Sequence, residues 1–360
     1  MNAFVMISML LIFALGMFLL WREGLLKNTA HLVFAFLFMA GAVVIRYFLL
    51  DFESGDYQTF LAPWTQFFRE HGGFKALGLP VGNYNLPYLY FLALFSYIDI
   101  SELYLIKLLS IVFDVLLAWA CMKLCSLFTK GRLRLIVCFF AVLLFPTVVL
   151  NGAYWAQCDS IYTFFAVLSL YLALSGKPVG AMVSITASFA FKLQAVFVMP
   201  IFFVLLVAKK IKFKHLFIFP AAYLVMVLPA VIAGRPLWDT LTLYFSQAGT
   251  VGDAMNYNAP SLTSMFRWGE NTEMWSMLLV IAAFVFMFIV FAVAIVNRKK
   301  LDDRVIFGMA VLLAVGIPFL LPHMHDRYFF TGGMMCIVLA VSDLRFAVMP
   351  ILAELASLHC

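Results

Sequence analysis

Between two apolar stretches near the end of the chain runs Pro322-His323-Met324-His325-Asp326-Arg327-Tyr328, five polar or titratable side chains in the six positions after the proline. A loop that only joins two hydrophobic segments has no need of that density. The imidazoles of His323 and His325 and the guanidinium of Arg327 supply hydrogen bonds and positive charge suited to a phosphate, which arginine can grip through two parallel bonds. The bland alternative is a hydrated loop capped by the following helix. His-x-His followed by Asp326 also has the look of a metal site, but a guanidinium next door makes a cation less welcome.

A second set of chemical residues lies early in the chain. Gly55-Asp56-Tyr57 followed by Trp64 sets a carboxylate at the start of an amphipathic stretch. Asp56 reads either as a helix N-cap or as a general base on a hydroxyl, with Asp51 and Glu53 as rivals. Lys192, with Gln194 two residues on, interrupts an otherwise apolar run, where an unpaired lysine at mid-membrane would cost at least about 2.5 kcal/mol. It must line a cavity, end a span or snorkel to the surface. In the stretch 151–160, Gln157 and Asp159 either orient a substrate or cap the helix that follows, with Tyr154 and Trp155 at headgroup depth. The turn 256–262 offers Ser261 as a cap, and turn chemistry explains most of it. Asp114 is an intramembrane carboxylate and so a functional candidate with no partner evident in the sequence.

The elements that position these residues follow from composition. The 360 residues are 65% hydrophobic and 12% charged, with a mean hydropathy of +1.04; an ordinary soluble domain carries roughly 25% charged residues. Runs such as 3–20, 278–296 and 305–321 approach or exceed the roughly 18 residues that cross a hydrocarbon core of about 30 Å. The expected class is all-α, a single integral membrane domain over 1–360 with about eleven spans. The first run lacks a basic leader and a small-residue cleavage site, so it reads as a retained span. The net charge of +6 sits in short clusters between apolar runs, which fits topology and not nucleic acid. Six cysteines, at 121, 125, 138, 158, 336 and 360, follow no metal spacing.

Sixteen of the 24 basic residues fall in alternate breaks: 22–29, 123–134, 175–178, 209–214, 297–304 and 345–360. The positive-inside rule assigns those breaks to the cytoplasm and the N-terminus to the outside. The alternation requires 179–208 to cross twice, as two short helices meeting near Lys192. The opposite breaks then collect Asp51, Glu53, Asp56, Glu70, Asn83, Asn85, Gln157, Asp159, Lys192, Gln194, Asn256, Asn258, His323, His325, Asp326 and Arg327 on one side. The first of them, 51–99, is long enough to hold interfacial helices over 60–68 and 86–98, the mark of a functional loop.

These residues, in this order, resemble the GT-C superfamily of polyprenyl-phosphate-sugar-dependent glycosyltransferases. The likeness is to the dolichyl-phosphate-glucose glucosyltransferases and to bacterial relatives of the GPI mannosyltransferases. Gly55-Asp56-Tyr57 and Trp64 match the family's catalytic segment in an early loop. Asn85-Leu86-Pro87-Tyr88-Leu89 resembles the element that follows it, with Asn where the family has an acid. Phe191-Lys192 and Gln194 resemble a Phe-Lys-Gln element with one residue inserted, and His323-Met324-His325-Asp326-Arg327 resembles a His-Val-His-Glu-Lys motif.

The resemblance implies inverting transfer of a hexose from a polyprenyl-phosphate donor to a glycan or lipid acceptor outside the cytoplasm, in a bacterial cell membrane. Asp56 would be the base. Lys192, His323, His325 and Arg327 would hold the donor phosphate, and Gln157, Asp159, Gln194, Asn85 and Asp326 would orient substrate. No nucleotide or soluble cofactor is implied, no metal ligands are assigned, and a divalent metal is left open. The competing class is a transporter or lipid-linked-sugar flippase, with Asp114 and Lys192 on its pathway, but such a protein should carry polar residues near the midplane and often an inverted repeat. A purely structural subunit leaves the His-rich loop without a purpose.

Overall fold

Long apolar runs free of early proline become long helices. The computed structural model describes residues 3–82, 84–248, 254–266, 268 and 271–358; Asn83 and Cys360 lie outside them. The chain opens with α1 (Ala3–Arg22) and α2 (Thr29–Leu49), the latter capped by Asn28, whose Oδ1 accepts from Ala30 N at 2.8 Å. The long loop that follows holds a π-helical turn (Tyr57–Leu61), α3 (Ala62–Glu70) and α4 (Leu86–Phe95). Pro63 and Pro87 stand in the first turns of α3 and α4, where their missing N–H costs nothing. Helices are therefore present at both places expected in 51–99, each with slightly different ends.

Next come α5 (Glu102–Cys125), α6 (Arg132–Leu143), α7 (Pro146–Val149), α8 (Asp159–Leu174), α9 (Pro178–Phe191), α10 (Ile201–Val207) and α11 (Ile218–Ile232). The chain continues through α12 (Leu237–Ala248), strand β1 (Asn256–Tyr257), α13 (Thr272–Val296), α14 (Asp303–Leu320), β2 (Met324–His325), α15 (Phe330–Ser342) and α16 (Val348–Leu358). The two strands pair in parallel, with Asn256 opposite Met324 and Tyr257 opposite His325. Gly78 lets the long loop lie on the end of α11, since a Cβ there would come within 2.2 Å of the Ala233 carbonyl oxygen.

Among the described residues, six helices are long and apolar enough to span a membrane: α1, α2, α5, Phe213–Ile232, α13 and α14. The bent pair Arg132–Leu143 and Pro146–Tyr154, kinked by 50°, makes a seventh. The expectation of about eleven spans is thus higher than the helices of spanning length. The reason is breakage: Pro146 kinks one span, and Lys192, with extended backbone (φ −154, ψ 136), ends α9 before a 3-10 turn leads to α10. At 1.5 Å per residue, the 14 residues of α9 reach about 21 Å, short of a hydrocarbon core. The pair of short helices expected to meet near Lys192 is present.

The core explains which helices are central. In α5, 72% of the apolar window is buried, against 22% in α2 and α13, whose Phe48, Phe288 and Val296 stay exposed. Such contiguous apolar exposure needs lipid to cover it. A second apolar cluster, including Tyr57, Phe68, Tyr88 and Leu92, fastens the long loop to Tyr223 and Val227 of α11.

Contacts gather the breaks into two ends. At one, Lys123 pairs with Glu23 (2.7 Å), Lys210 with Asp303 (2.6 Å), and Arg304 donates to the Phe128 carbonyl (2.9 Å). At the other, Tyr104 donates to Asp51 (2.8 Å), Lys192 pairs with Asp159 (2.6 Å), and Arg327 pairs with Asp56 (3.0 Å). The last break departs from this scheme. Instead of staying with the basic end, α16 packs back along α15 toward α7, so that Ser357 and Leu358 line the same cavity as Asp56. Glu354 is what holds it there, accepting from Thr147 N (2.8 Å) and Thr147 Oγ1 (2.7 Å).

Candidate active site

One face of α5 carries Lys107, Ser110 and Asp114, spaced i, i+3 and i+7, and each fixes a different segment of the site. Lys107 Nζ donates to the carbonyls of Leu49 (2.9 Å), Leu50 (3.0 Å) and Phe52 (2.6 Å), holding the end of α2 and the start of the long loop. Ser110 Oγ donates to the Gln157 carbonyl at 2.8 Å. Asp114 Oδ1 accepts from Ser160 Oγ (2.5 Å), while its Oδ2 accepts from Arg46 Nε (3.0 Å) and Nη2 (2.9 Å). Arg46 is the partner that the sequence did not reveal. Its Nη2 also donates to the Leu143 carbonyl (2.7 Å), so the whole pair is buried and satisfied.

Above this stripe lies a cavity of about 320 Å³, lined in part by Ser54, Asp56, Asn151, Trp155, Gln157 and Arg327. Asp56 stands directly before the π turn Tyr57–Leu61 and makes no capping hydrogen bond, so the cap reading fails. Its Oδ2 accepts from Arg327 Nη1 (3.0 Å) and, through a short bond, from Gln157 Nε2. Oδ1 has no donor among the described residues. The rival carboxylates are engaged away from the cavity: Asp51 with Tyr104, and Glu53 with Gln58 (3.1 Å). A second π turn, Leu150–Tyr154, precedes Gln157, and Ala156 between them is left-handed (φ 58). Such turns and such backbone collect at functional sites.

Beside the cavity is a second charge pair. Asp159 begins α8, where a carboxylate suits the positive end of the helix. Its Oδ1 meets Lys192 Nζ (2.6 Å) and its Oδ2 accepts from Asn151 Nδ2 (2.8 Å), and neither oxygen caps α8, so the capping reading of Asp159 fails. Lys192 is buried and also faces the rings of Tyr84 and Tyr162 at 5.8 and 6.0 Å. Tyr84 in turn donates to Gln157 Oε1 (3.3 Å), which joins the two pairs.

The loop 321–329 divides its residues. Arg327 enters the cavity, and its Nε is buried with no partner among the described residues. Asp326 also lines the cavity; burial raises its carboxyl above the usual range. His325 stacks on Tyr257 with centroids 4.8 Å apart. Burial, aided by the Arg327 charge, pushes its pKa down to about 4, so at neutral pH it is an uncharged hydrogen-bonding group and not the cation expected. His323 is elsewhere. It is left-handed (φ 60), with Nδ1 on the Ala254 carbonyl (2.7 Å) and Nε2 on Ser276 Oγ (3.1 Å), and it ties the loop to α13.

Two further candidates are not in the cavity lining. Asn85 caps α4 at Leu86 N (2.9 Å) and donates to Tyr223 Oη (3.1 Å), a structural tether. Gln194 sits in the turn Leu193–Phe197 after Lys192, its Oε1 buried and without a partner among the described residues. Ser261 makes no helix cap either; with Thr263 it receives the Asn256 amide (3.2 and 2.9 Å). Sequence reasoning missed Arg46, Lys107 and Ser110, although polar residues at i, i+3 and i+7 with Asp114 were a readable signal. Among the described residues no three His, Cys, Asp or Glu side chains converge as metal ligands would.

No protein-family model matches this chain, and no curated protein matches it. The functional argument therefore rests on the site's own geometry.

Proposed function

We propose that the protein is a GT-C type inverting glycosyltransferase that moves a hexose from a polyprenyl-phosphate donor to an extracytoplasmic glycan or lipid acceptor. The observation that carries this reading is the setting of Asp56 at the cavity: two donors hold Oδ2, and Oδ1 has none among the described residues. A carboxylate so oriented takes a proton from an acceptor hydroxyl. The acceptor oxygen then attacks the anomeric carbon as the bond to the phosphate oxygen breaks. Negative charge on the departing polyprenyl phosphate is met by Arg327 Nε, which has no partner among the described residues, and by Lys192, whose ammonium has donors beyond the one given to Asp159. Neutral His325 supplies a hydrogen bond, and Gln157 and Asp159 orient Asp56 and Lys192.

The positive-inside rule, with the short helices counted as spans, supports an extracytoplasmic cavity and a cytoplasmic basic end. A bacterial cell membrane is the proposed location. The transport alternative is less well served, because the deeply buried charges Arg46 and Asp114 are consumed by each other and by helix carbonyls and hydroxyls. The test is stereochemical. Purified protein in nanodiscs with a polyprenyl-phosphate hexose of known anomeric configuration should give a product of opposite configuration by NMR. Retained configuration, or no release of polyprenyl phosphate under any acceptor tried, rejects the mechanism.

A further inference from the structure

We propose that Trp155 is the platform on which a sugar ring of the acceptor lies, so that the acceptor is a carbohydrate and not a plain lipid alcohol. This rests on the glycosyl-transfer reading above. Tyr154 and Trp155 are adjacent but treated differently. Tyr154 stacks on Phe52 with centroids 3.7 Å apart, whereas Trp155 lines the cavity and stays 36% exposed. An aromatic face is electron-rich and meets the weakly positive C–H face of a pyranose, leaving the ring's hydroxyl rim free for polar walls. Those walls are present as Thr147, Asn151, Gln157 and Asp326. At about 320 Å³ the cavity falls at the small end of the roughly 300–1,000 Å³ typical of ligand sites, which suits a sugar and not a chain.

The geometry also ties Trp155 to the base. Ser54 Oγ donates to the Trp155 carbonyl (2.7 Å) and accepts from Tyr57 N (3.2 Å), so the Trp155 backbone is bonded to the loop that carries Asp56. Of the residues assigned to the donor phosphate, Arg327 enters the same cavity from another segment, and Lys192 is not among the cavity-lining residues. A ring on Trp155 is thus positioned relative to the base, whose proton comes from the acceptor.

The experiment compares dodecyl glucoside with dodecanol as acceptors, in nanodiscs with a polyprenyl-phosphate hexose, for the wild type, Trp155→Phe and Trp155→Ala. The wild type should glycosylate the glucoside and leave the alcohol untouched. Trp155→Ala should raise the glucoside KM about tenfold, the scale of an aromatic contact, with donor KM unchanged. Trp155→Phe, which keeps a ring, should stay within about threefold. Equal use of dodecanol, an unchanged glucoside KM in Trp155→Ala, or a shift confined to donor KM would overturn the proposal while leaving glycosyl transfer intact. A wild type that consumes no donor with either acceptor would instead reject the transferase reading, and this inference with it.

Discussion

Replacing Arg46 by methionine strips Asp114 of its counter-charge in a place that water does not reach. Arg46 and Asp114 side chains are 1% and 0% exposed, joined by bonds of 2.9 and 3.0 Å, and Arg46 further serves the Leu143 carbonyl at 2.7 Å. Removing one partner of such a pair leaves an uncompensated buried charge, at a cost of about 3–5 kcal/mol. Asp114→Asn should cost a similar amount by stranding the guanidinium. The double variant Arg46→Met with Asp114→Asn buries no charge, so it should cost no more than the worse single variant, a coupling of about 3 kcal/mol. The assay is equilibrium unfolding of the four proteins in mixed micelles, read by circular dichroism. Additive losses, with the double variant costing the sum of the singles, would refute the idea that these residues act chiefly on each other.

Other consequences are equally specific. Lys192→Ala and Arg327→Ala should each weaken polyprenyl phosphate binding at least tenfold, the scale of a charged hydrogen bond; unchanged affinity in both, measured by titration in nanodiscs, would contradict their role at the leaving group. His325, with a folded pKa down to about 4 against about 6.5 when unfolded, binds fewer protons folded than unfolded between those values. Its contribution to stability is whole above about pH 6.5 and is lost as pH falls toward 4. His325→Gln should flatten unfolding-midpoint curves in that window, and an identical pH dependence would count against it. Glu354→Ala strands the N–H and hydroxyl of Thr147, so α16 should loosen by about 1–3 kcal/mol. A Ser357→Cys reporter should then label several-fold faster, whereas an unaltered rate means that Glu354 is not the latch.

Much of the architecture was legible because it follows from apolar length and from isolated polar residues in apolar runs. Lys192 announced a break, since a lysine there must end a helix or find a partner, and it does both. Asp56, Gln157, Asp159 and Arg327 were readable as one-sided, and side-chain bonds join them in two pairs linked through Tyr84 and Gln157. What escaped was long-range pairing. Arg46 lies 68 residues from Asp114, and nothing in either segment names the other. Periodicity also counts apolar stretches and cannot see where proline or a stranded lysine divides one, hence fewer spanning helices than expected. The return of α16 was hidden because an eleven-residue apolar segment looks too short to cross. His323 misled for another reason: a left-handed backbone turns it out of the cluster that its motif suggests.

The most direct measurement is single-turnover transfer by Asp56→Asn. The amide keeps the shape and the ability to accept from Gln157 or Arg327 but cannot take a proton from a hydroxyl. With a radiolabelled polyprenyl-phosphate hexose, the variant should bind donor within about threefold of the wild type and transfer at less than about one part in a hundred of its rate, the low end of what a positioned general base contributes. Transfer at near wild-type rate with donor bound would contradict the assignment of Asp56 as the base, and with it the proposed function of the cavity.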